Sequence, residues 1–274
     1  MNVHSRYGSN TTYTFNPSYN MDEHYRFFGS IATGFKAPTL FQLYSSSGNR
    51  NLNPEKSKTY EIGFQQQHEK ITNRIVYFKR KIENGIDFNN ITFKYFNIAQ
   101  QTVNGVEFES KITLAKNFSL TANYAYLTSK EINQSRITFK DSVYNYLLRR
   151  PNHSFNITAS YSFDNGLFLS TSGKYVGKRN DFGGYQQADV QLSSYFLLGA
   201  YAEYKFKKYI KVFADVQNIT NKKFFDIRGY NSIPFLFNGG VTFTPVKNKF
   251  INEDNHELER RQRQFTGLIS SSKR

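Results

Sequence analysis

Apolar and polar side chains alternate residue by residue through most of this chain. Phe155, Ile157, Ala159, Tyr161 and Phe163 interleave with Ser154, Asn156, Thr158, Ser160 and Ser162. The same beat runs through Phe118–Leu120–Ala122–Tyr124–Tyr126 against Ser119, Thr121, Asn123 and Ala125, and through residues 196–206. Side chains two apart share one face of a strand, so each segment has a greasy face and a wet one. The wet face carries small and charged residues, as a water-filled lumen allows.

Segments of this kind fall near 11–21, 25–35, 57–67, 71–82, 93–114, 117–129, 147–163, 166–178, 188–206, 209–218 and 235–244. A tilted membrane strand needs roughly 9–11 residues, and most of these reach that length. The connections alternate as well. Short turns at 22–24, 67–70, 115–116, 164–166 and 207–208 are separated by long polar links at 36–56, 83–91, 130–146, 179–187 and 217–234. Outer-membrane barrels have short periplasmic turns and longer extracellular loops, so the expected fold is all-β: a transmembrane antiparallel up-and-down β-barrel. Eleven strands that start outside and end inside make it partial, because a closed single-chain barrel has an even number. Unpaired edges in lipid cost several kcal/mol per unsatisfied group, so a fragment of a larger wall is expected.

Composition supports a two-faced wall. Aromatics make up 17% (27 Phe, 20 Tyr, no Trp), yet 21% of residues are charged and mean hydropathy is −0.62. The net charge of +15 is compatible with nucleic acid, anionic lipid or a solvated surface, but no basic cluster interleaved with aromatics supports nucleic acid. With no cysteine, disulfides and thiolate metal sites are excluded. No apolar run of about 18 residues predicts a spanning helix, and residues 1–10 show no signal-peptide core.

Three stretches resemble TonB-dependent outer-membrane receptors. Gly34-Phe35-Lys36-Ala37-Pro38-Thr39-Leu40 runs into Phe41-Gln42-Leu43-Tyr44, then Gly48-Asn49, Asn51-Leu52-Asn53-Pro54-Glu55 and Tyr60-Glu61-Ile62-Gly63. That block is close to cobalamin (vitamin B12) receptors. Asn104-Gly105-Val106-Glu107-Phe108 is similar to the family's "GVE" strand, and residues 216–223 are similar to its "NLTNK" segment. The resemblance spans about 11–244 and implies strands twelve to twenty-two of a 22-strand barrel. The plug and the TonB contact belong to an N-terminal part outside this chain. It further implies uptake of a scarce nutrient, cobalamin preferred over iron–siderophore or haem, in the outer membrane of a Gram-negative bacterium.

Asn238, Gly240, Val241 and Phe243 resemble the C-terminal signal read by the barrel-assembly machinery. Residues 1–244 are accordingly expected to be barrel and 245–274 a polar tail, disordered or loosely helical. Leu40, Phe41, Tyr44, Asn49 and Asn51 form a candidate ligand-facing set in the first long loop, against the alternative of a packed structural corner. Glu55 and Glu61 are lumen-facing candidates that touch plug or ligand, or are merely solvated. Arg149 and Arg150 suit lipopolysaccharide phosphates, since guanidinium binds phosphate bidentately, or are an ordinary basic strand end. The five histidines show no metal spacing, and no cofactor is expected. No Gly-x-Ser-x-Gly, phosphate loop or His-Glu-x-x-His is present, so an enzyme is not expected. Rival readings are an oligomerising diffusion porin, a soluble β-rich adhesion module and a remnant of a truncated receptor gene.

Overall fold

The computed structural model describes residues 2–89, 92–138, 140–206 and 209–244; the tail expected at 245–274 lies outside the described residues. In chain order the strands are β1 (Asn2–His4), β2 (Gly8–Asn10), β3 (Thr14–Phe15), β4 (Ser18–Asn20), β5 (Tyr25–Lys36), β6 (Glu55–Gln67), β7 (Ile71–Asn89), β8 (Lys94–Ala115), β9 (Phe118–Gln134), β10 (Asp141–Tyr144), β11 (His153–Ser162), β12 (Leu167–Val176), β13 (Arg179–Asp181), β14 (Val190–Leu192), β15 (Tyr195–Phe206), β16 (Ile210–Gln217) and β17 (Leu236–Phe243). One short helix, α1 (Leu40–Tyr44), sits between β5 and β6.

Thirteen strands make one sheet in the order β17-β16-β15-β12-β11-β9-β8-β7-β6-β5-β3, with β4 paired to β5 and β10 to β9. Every neighbour is antiparallel. The wall is an up-and-down meander of eleven staves, the number the alternation predicts, and it is open. β3 and β4 together form the first stave; it is interrupted at residues 16–17, where Pro17 has no N–H for the ladder.

The register puts the apolar residues on one face. Tyr60 lies opposite Ile31, Ile62 opposite Tyr77, and Phe64 opposite Ile75. The row continues through Phe108, Tyr124, Phe155, Tyr175 and Phe196. These side chains are not a buried core: Ile62, Phe237, Val241 and Phe243 are each at least 60% exposed. A surface of this kind is stable in hydrocarbon and would aggregate in water. The opposite face carries Arg26, Gln65, Arg74, Glu109, Asn123, Asn156 and Lys174 in cross-strand register. There the Arg26 and Arg74 guanidiniums both lie over the Phe28 ring, 5.3 and 5.2 Å from its centroid. Among the described residues no helix is long and apolar enough to cross a membrane.

Several boundaries differ from expectation. Of the expected link at 83–91, residues 83–89 are instead strand, with β7 running to Asn89 and β8 starting at Lys94, and residues 90–91 lie outside the described residues. β6 accompanies β7 only as far as Glu83, and β9 accompanies β8 only from Gln100. Residues 85–89 and 94–98 therefore pair in the ladder only with each other, while the first long loop bonds to them, the Tyr95 N–H donating to the Ser47 carbonyl at 3.1 Å and the Asn53 N–H to Asn97 Oδ1 at 2.8 Å. Asn84-Gly85 interrupts the apolar beat between Ile82 and Ile86, so periodicity alone did not mark the continuation. The stave expected from 147 begins at His153, and that expected from 188 begins at Tyr195. Val190–Leu192 instead pairs with Arg179–Asp181 in a separate hairpin. Asn238 and Gly240 fall on the polar face of β17, opposite Asp215 and Phe213; Val241 and Phe243 fall on the apolar face, opposite Val212 and Ile210.

Gly105, in the "GVE" strand, faces Phe78 and Leu127. A Cβ there would lie 2.6 Å from the Phe78 ring and 2.7 Å from Leu127 Cδ2. Gly105→Val is expected to cost roughly 1–3 kcal/mol by overpacking. In the intact barrel this lowers the urea midpoint for loss of the compact, heat-modifiable gel band; an unchanged midpoint would show that the strand tolerates the added bulk.

Candidate functional site

The long connections cluster at one end of the wall, and buried charges hold them together. Asp181, at the end of β13, is fully buried. Its Oδ1 accepts from Arg149 Nε at 2.7 Å and from the Phe182 N–H at 2.8 Å, and its Oδ2 accepts from the Arg228 N–H at 2.6 Å. Residues of three separate loops thus converge on one carboxylate. Burial alone would raise that carboxyl, but the Arg228 N–H, the Arg149 guanidinium and the Phe182 N–H outweigh it and hold it below the usual carboxylate range.

A second knot forms around Arg136, which donates to Glu131 Oε1 at 2.9 Å and to Asp189 Oδ2 at 2.6 Å. Tyr146 also donates to Asp189 Oδ2, at 2.8 Å, and its phenol is pushed upward first by burial and then by that bond. Gln101 and Asn133 donate to Glu131, and the Arg136 guanidinium lies 4.1 Å from the Tyr144 ring centroid. A third knot joins Arg179 to Asp226 at 3.3 Å, with Tyr195 donating to the same carboxylate at 2.5 Å. The Arg136 knot is the driest of the three, with Arg136, Glu131 and Asp189 all largely buried, whereas Arg149 and Asp226 in the other two are more than half exposed. The desolvation that hydrogen bonding must offset therefore falls mainly on the Arg136 knot.

Two neighbouring cavities open beside these knots. One of about 360 Å³ is lined by Asp87, Phe96, Asn133, Arg136, Arg149 and Phe182, among others. The next, of about 330 Å³, is lined by Glu55, Asp87, Glu131, Arg136, Leu148 and Arg150, among others. Asp87 is on the projecting hairpin, and burial raises its carboxyl against the opposing Phe88 N–H. Arg150 is exposed and makes no ion pair among the described residues. The site therefore offers a guanidinium without an ion-pair partner and several carboxylates, set among apolar side chains such as Phe96, Leu148 and Phe182. Among the described residues no group of three His, Asp or Glu side chains is placed to hold a metal.

The sequence-derived candidates divide between places. Glu55, Arg149 and Arg150 line the cavities. Glu55 also accepts from the Ile86 N–H at 3.2 Å and pairs with Lys36 at 3.7 Å. Glu61 is six residues further along the polar face of β6 and is not a lining residue. The first long loop is a separate element. Thr39 caps α1, its hydroxyl accepting from the Gln42 N–H while the Gln42 side chain accepts from the Thr39 N–H. Leu43 and Leu52 are buried beneath it, whereas Leu40, Phe41 and Tyr44 are exposed at 76%, 67% and 55%. Asn49 is committed to the loop, donating to the Tyr95 carbonyl at 3.0 Å and accepting from the Asn51 N–H at 2.9 Å. Sequence reasoning missed Asp87, Glu131, Arg136 and Asp189. The signal available for the hairpin was Gly183-Gly184 between Asp181 and Asp189, a turn at which a chain reverses.

The family described as TonB dependent receptor-like, beta-barrel matches residues 2–219. Among solved structures, the chain is similar to the ferric-catecholate import receptor Fiu of E. coli K12, at 18% identity and a TM-score of 0.69, over 85% of this chain and 34% of that one. It is similar to the ferric enterobactin receptor PfeA of Pseudomonas aeruginosa, at 20% identity and a TM-score of 0.69, over 88% of this chain and 41% of that one. It is also similar to the copper transporter OprC, at 13% identity and a TM-score of 0.68, over 85% and 39%. The chain thus spans 34–41% of the length of these proteins.

Asp181→Ala leaves the Arg149 guanidinium and two N–H donors without their acceptor. The expected loss approaches the roughly 3–5 kcal/mol of a broken buried pair, moderated by the half exposure of Arg149. Protease nicking of loops 177–194 and 218–235 should rise while the compact barrel band persists; unchanged nicking would refute the staple. Because the folded-state pKa of Asp181 is lowered, its stabilisation is complete above the unfolded value of about 4 and is lost as pH falls below it. In wild type the same loops should therefore become protease-sensitive in that acid window, and Asp181→Asn should remove this acid-dependent step.

Proposed function

The chain belongs to the TonB-dependent receptor-like β-barrel family, and from that premise we propose that it forms the C-terminal half of a receptor wall in the outer membrane of a Gram-negative bacterium. The family is one of receptors and transporters, so the work assigned here is capture and passage of a nutrient. The plug and the TonB contact belong, on this reading, to a preceding part of the receptor. Barrel-assembly recognition is assigned to Asn238, Gly240, Val241 and Phe243, whose polar and apolar side chains divide between the two faces of β17.

For the ligand we favour an anionic ferric chelate of the siderophore class. The observation that carries this is Arg150, exposed and lacking an ion pair among the described residues, at the edge of a cavity of about 330 Å³. A guanidinium without an ion-pair partner there is available to bind anionic oxygens bidentately. Fiu and PfeA, by their names, take up ferric catecholates or ferric enterobactin. Cobalamin is the second reading, supported by the block around residues 34–63. Glu55 is assigned to the cavity wall, Glu61 to the lumen below it, and Leu40, Phe41, Tyr44 and Asn51 to an outer contact surface. Asn49 holds that surface in shape. Neither arginine is assigned to lipopolysaccharide on this reading: Arg149 Nε is engaged by Asp181, and Arg150 is given to the cavity.

Strand direction weighs against the diffusion-porin rival. With eleven antiparallel staves, the first and the last run the same way. Two copies closing on each other would have to pair β17 with the first stave in parallel, whereas membrane barrels of this class are antiparallel. The truncated-gene alternative makes the opposite forecast to the receptor reading: no uptake at all.

The test is to express the whole receptor containing this wall in a Gram-negative host lacking its own catecholate and cobalamin receptors. Growth under iron limitation on ferric enterobactin is expected, and Arg150→Ala should weaken binding of that probe by roughly ten- to a hundredfold, as loss of a charged hydrogen bond does. Rescue by cobalamin alone would replace the first reading with the second, and rescue by neither would overturn both.

A further inference from the structure

The apolar face is not uniformly bulky. Where other rows present Ile, Leu, Tyr or Phe, two adjoining rows present small side chains. Ala159 lies opposite Thr171, which lies opposite Ala200, and Ala202 lies opposite Ala214. The result is a groove of about 440 Å³ with almost wholly apolar walls, within the roughly 300–1,000 Å³ typical of small-ligand pockets. Phe118, Tyr161 and Leu169 wall its side nearer the short turns. The Thr171 hydroxyl on its floor makes no demand on an occupant, because Thr171 Oγ1 donates to the Gly199 carbonyl at 3.1 Å.

We propose that this groove holds an acyl chain of one phospholipid from the periplasmic leaflet. Its place in the wall selects the occupant. It faces hydrocarbon, and a concavity in a lipid-facing wall is filled by the chain that packs its atoms best. Ala159 is four residues from Phe163, so the floor begins roughly 13 Å along the strand from the short turn. Short turns mark the periplasmic side, which sets the groove in the leaflet made of phospholipid. Aromatic side chains frame this end: Tyr161 and Phe163 are in edge contact at 4.5 Å, and Tyr204 and Phe206 lie 6.4 Å apart. Interfacial aromatics of that kind sit at headgroup level. Lys116, exposed in the turn before Phe118, supplies a cation for the phosphate. The neighbouring carboxylate of Asp164 is partly occupied by Asn117 Nδ2 at 3.2 Å.

The receptor containing this wall, extracted in mild detergent, is examined by native mass spectrometry with identification of the retained lipid. One phospholipid per wild-type receptor is expected to survive. Ala200→Phe and Ala214→Phe fill the floor from the lipid side and should each cut retention at least about tenfold. Ile62→Phe, on the same face but outside the groove, should keep it. Heat-modifiable gel migration verifies that each variant is folded. Equal retention in the filled variants, a lipid-free folded wild type, or lipopolysaccharide as the retained lipid would each overturn the proposal.

Discussion

Everything in this structure follows from the backbone's need for partners where no water is available. A strand in hydrocarbon with an unpaired N–H or C=O loses several kcal/mol per group, so each stave is bonded along its length to the next. Side chains then have two faces to fill, and the pleat assigns them by parity. The aromatic row from Tyr60 to Phe196 and the polar row from Arg26 to Lys174 are two readings of the same register. A one-residue slip anywhere would exchange them.

Above the wall the constraint relaxes and a different chemistry takes over. The loops do not share a ladder, so carboxylates and guanidiniums act as their fasteners. Asp181 gathers Arg149, Phe182 and Arg228 from three loops; Asp189 gathers Arg136 and Tyr146. The projecting hairpin and these fasteners together enclose the cavities. Their walls combine the paired charges with apolar side chains such as Phe96, Leu148 and Phe182.

This division explains what the sequence disclosed. Period-two alternation is a local signal, so the staves, their number and their faces were legible from residues such as 154–163. The short turns were legible for the same reason. The continuation of β7 to Asn89 was not, because Asn84-Gly85 breaks the apolar beat and residues 85–89 pair only with residues 94–98 of the same hairpin. The cavities were less legible still. Glu131 and Asp189, or Arg149 and Asp181, are far apart in the chain and join through tertiary geometry that no spacing rule encodes. Asn49 shows the reverse case: a polar residue in a promising loop whose hydrogen bonds are already spent on Tyr95 and Asn51.

The sharing of Asp181 among three loops also bears on how such a receptor changes over generations. A loop fastened only to itself can drift freely, trying new sequences one residue at a time. Here, replacing Arg149 strands an acid in another loop, and replacing Asp181 strands partners in two others. Novelty at this mouth must therefore arrive as matched substitutions or as exchange of the loops as a block, while the outward Leu40, Phe41 and Tyr44 remain free to vary singly.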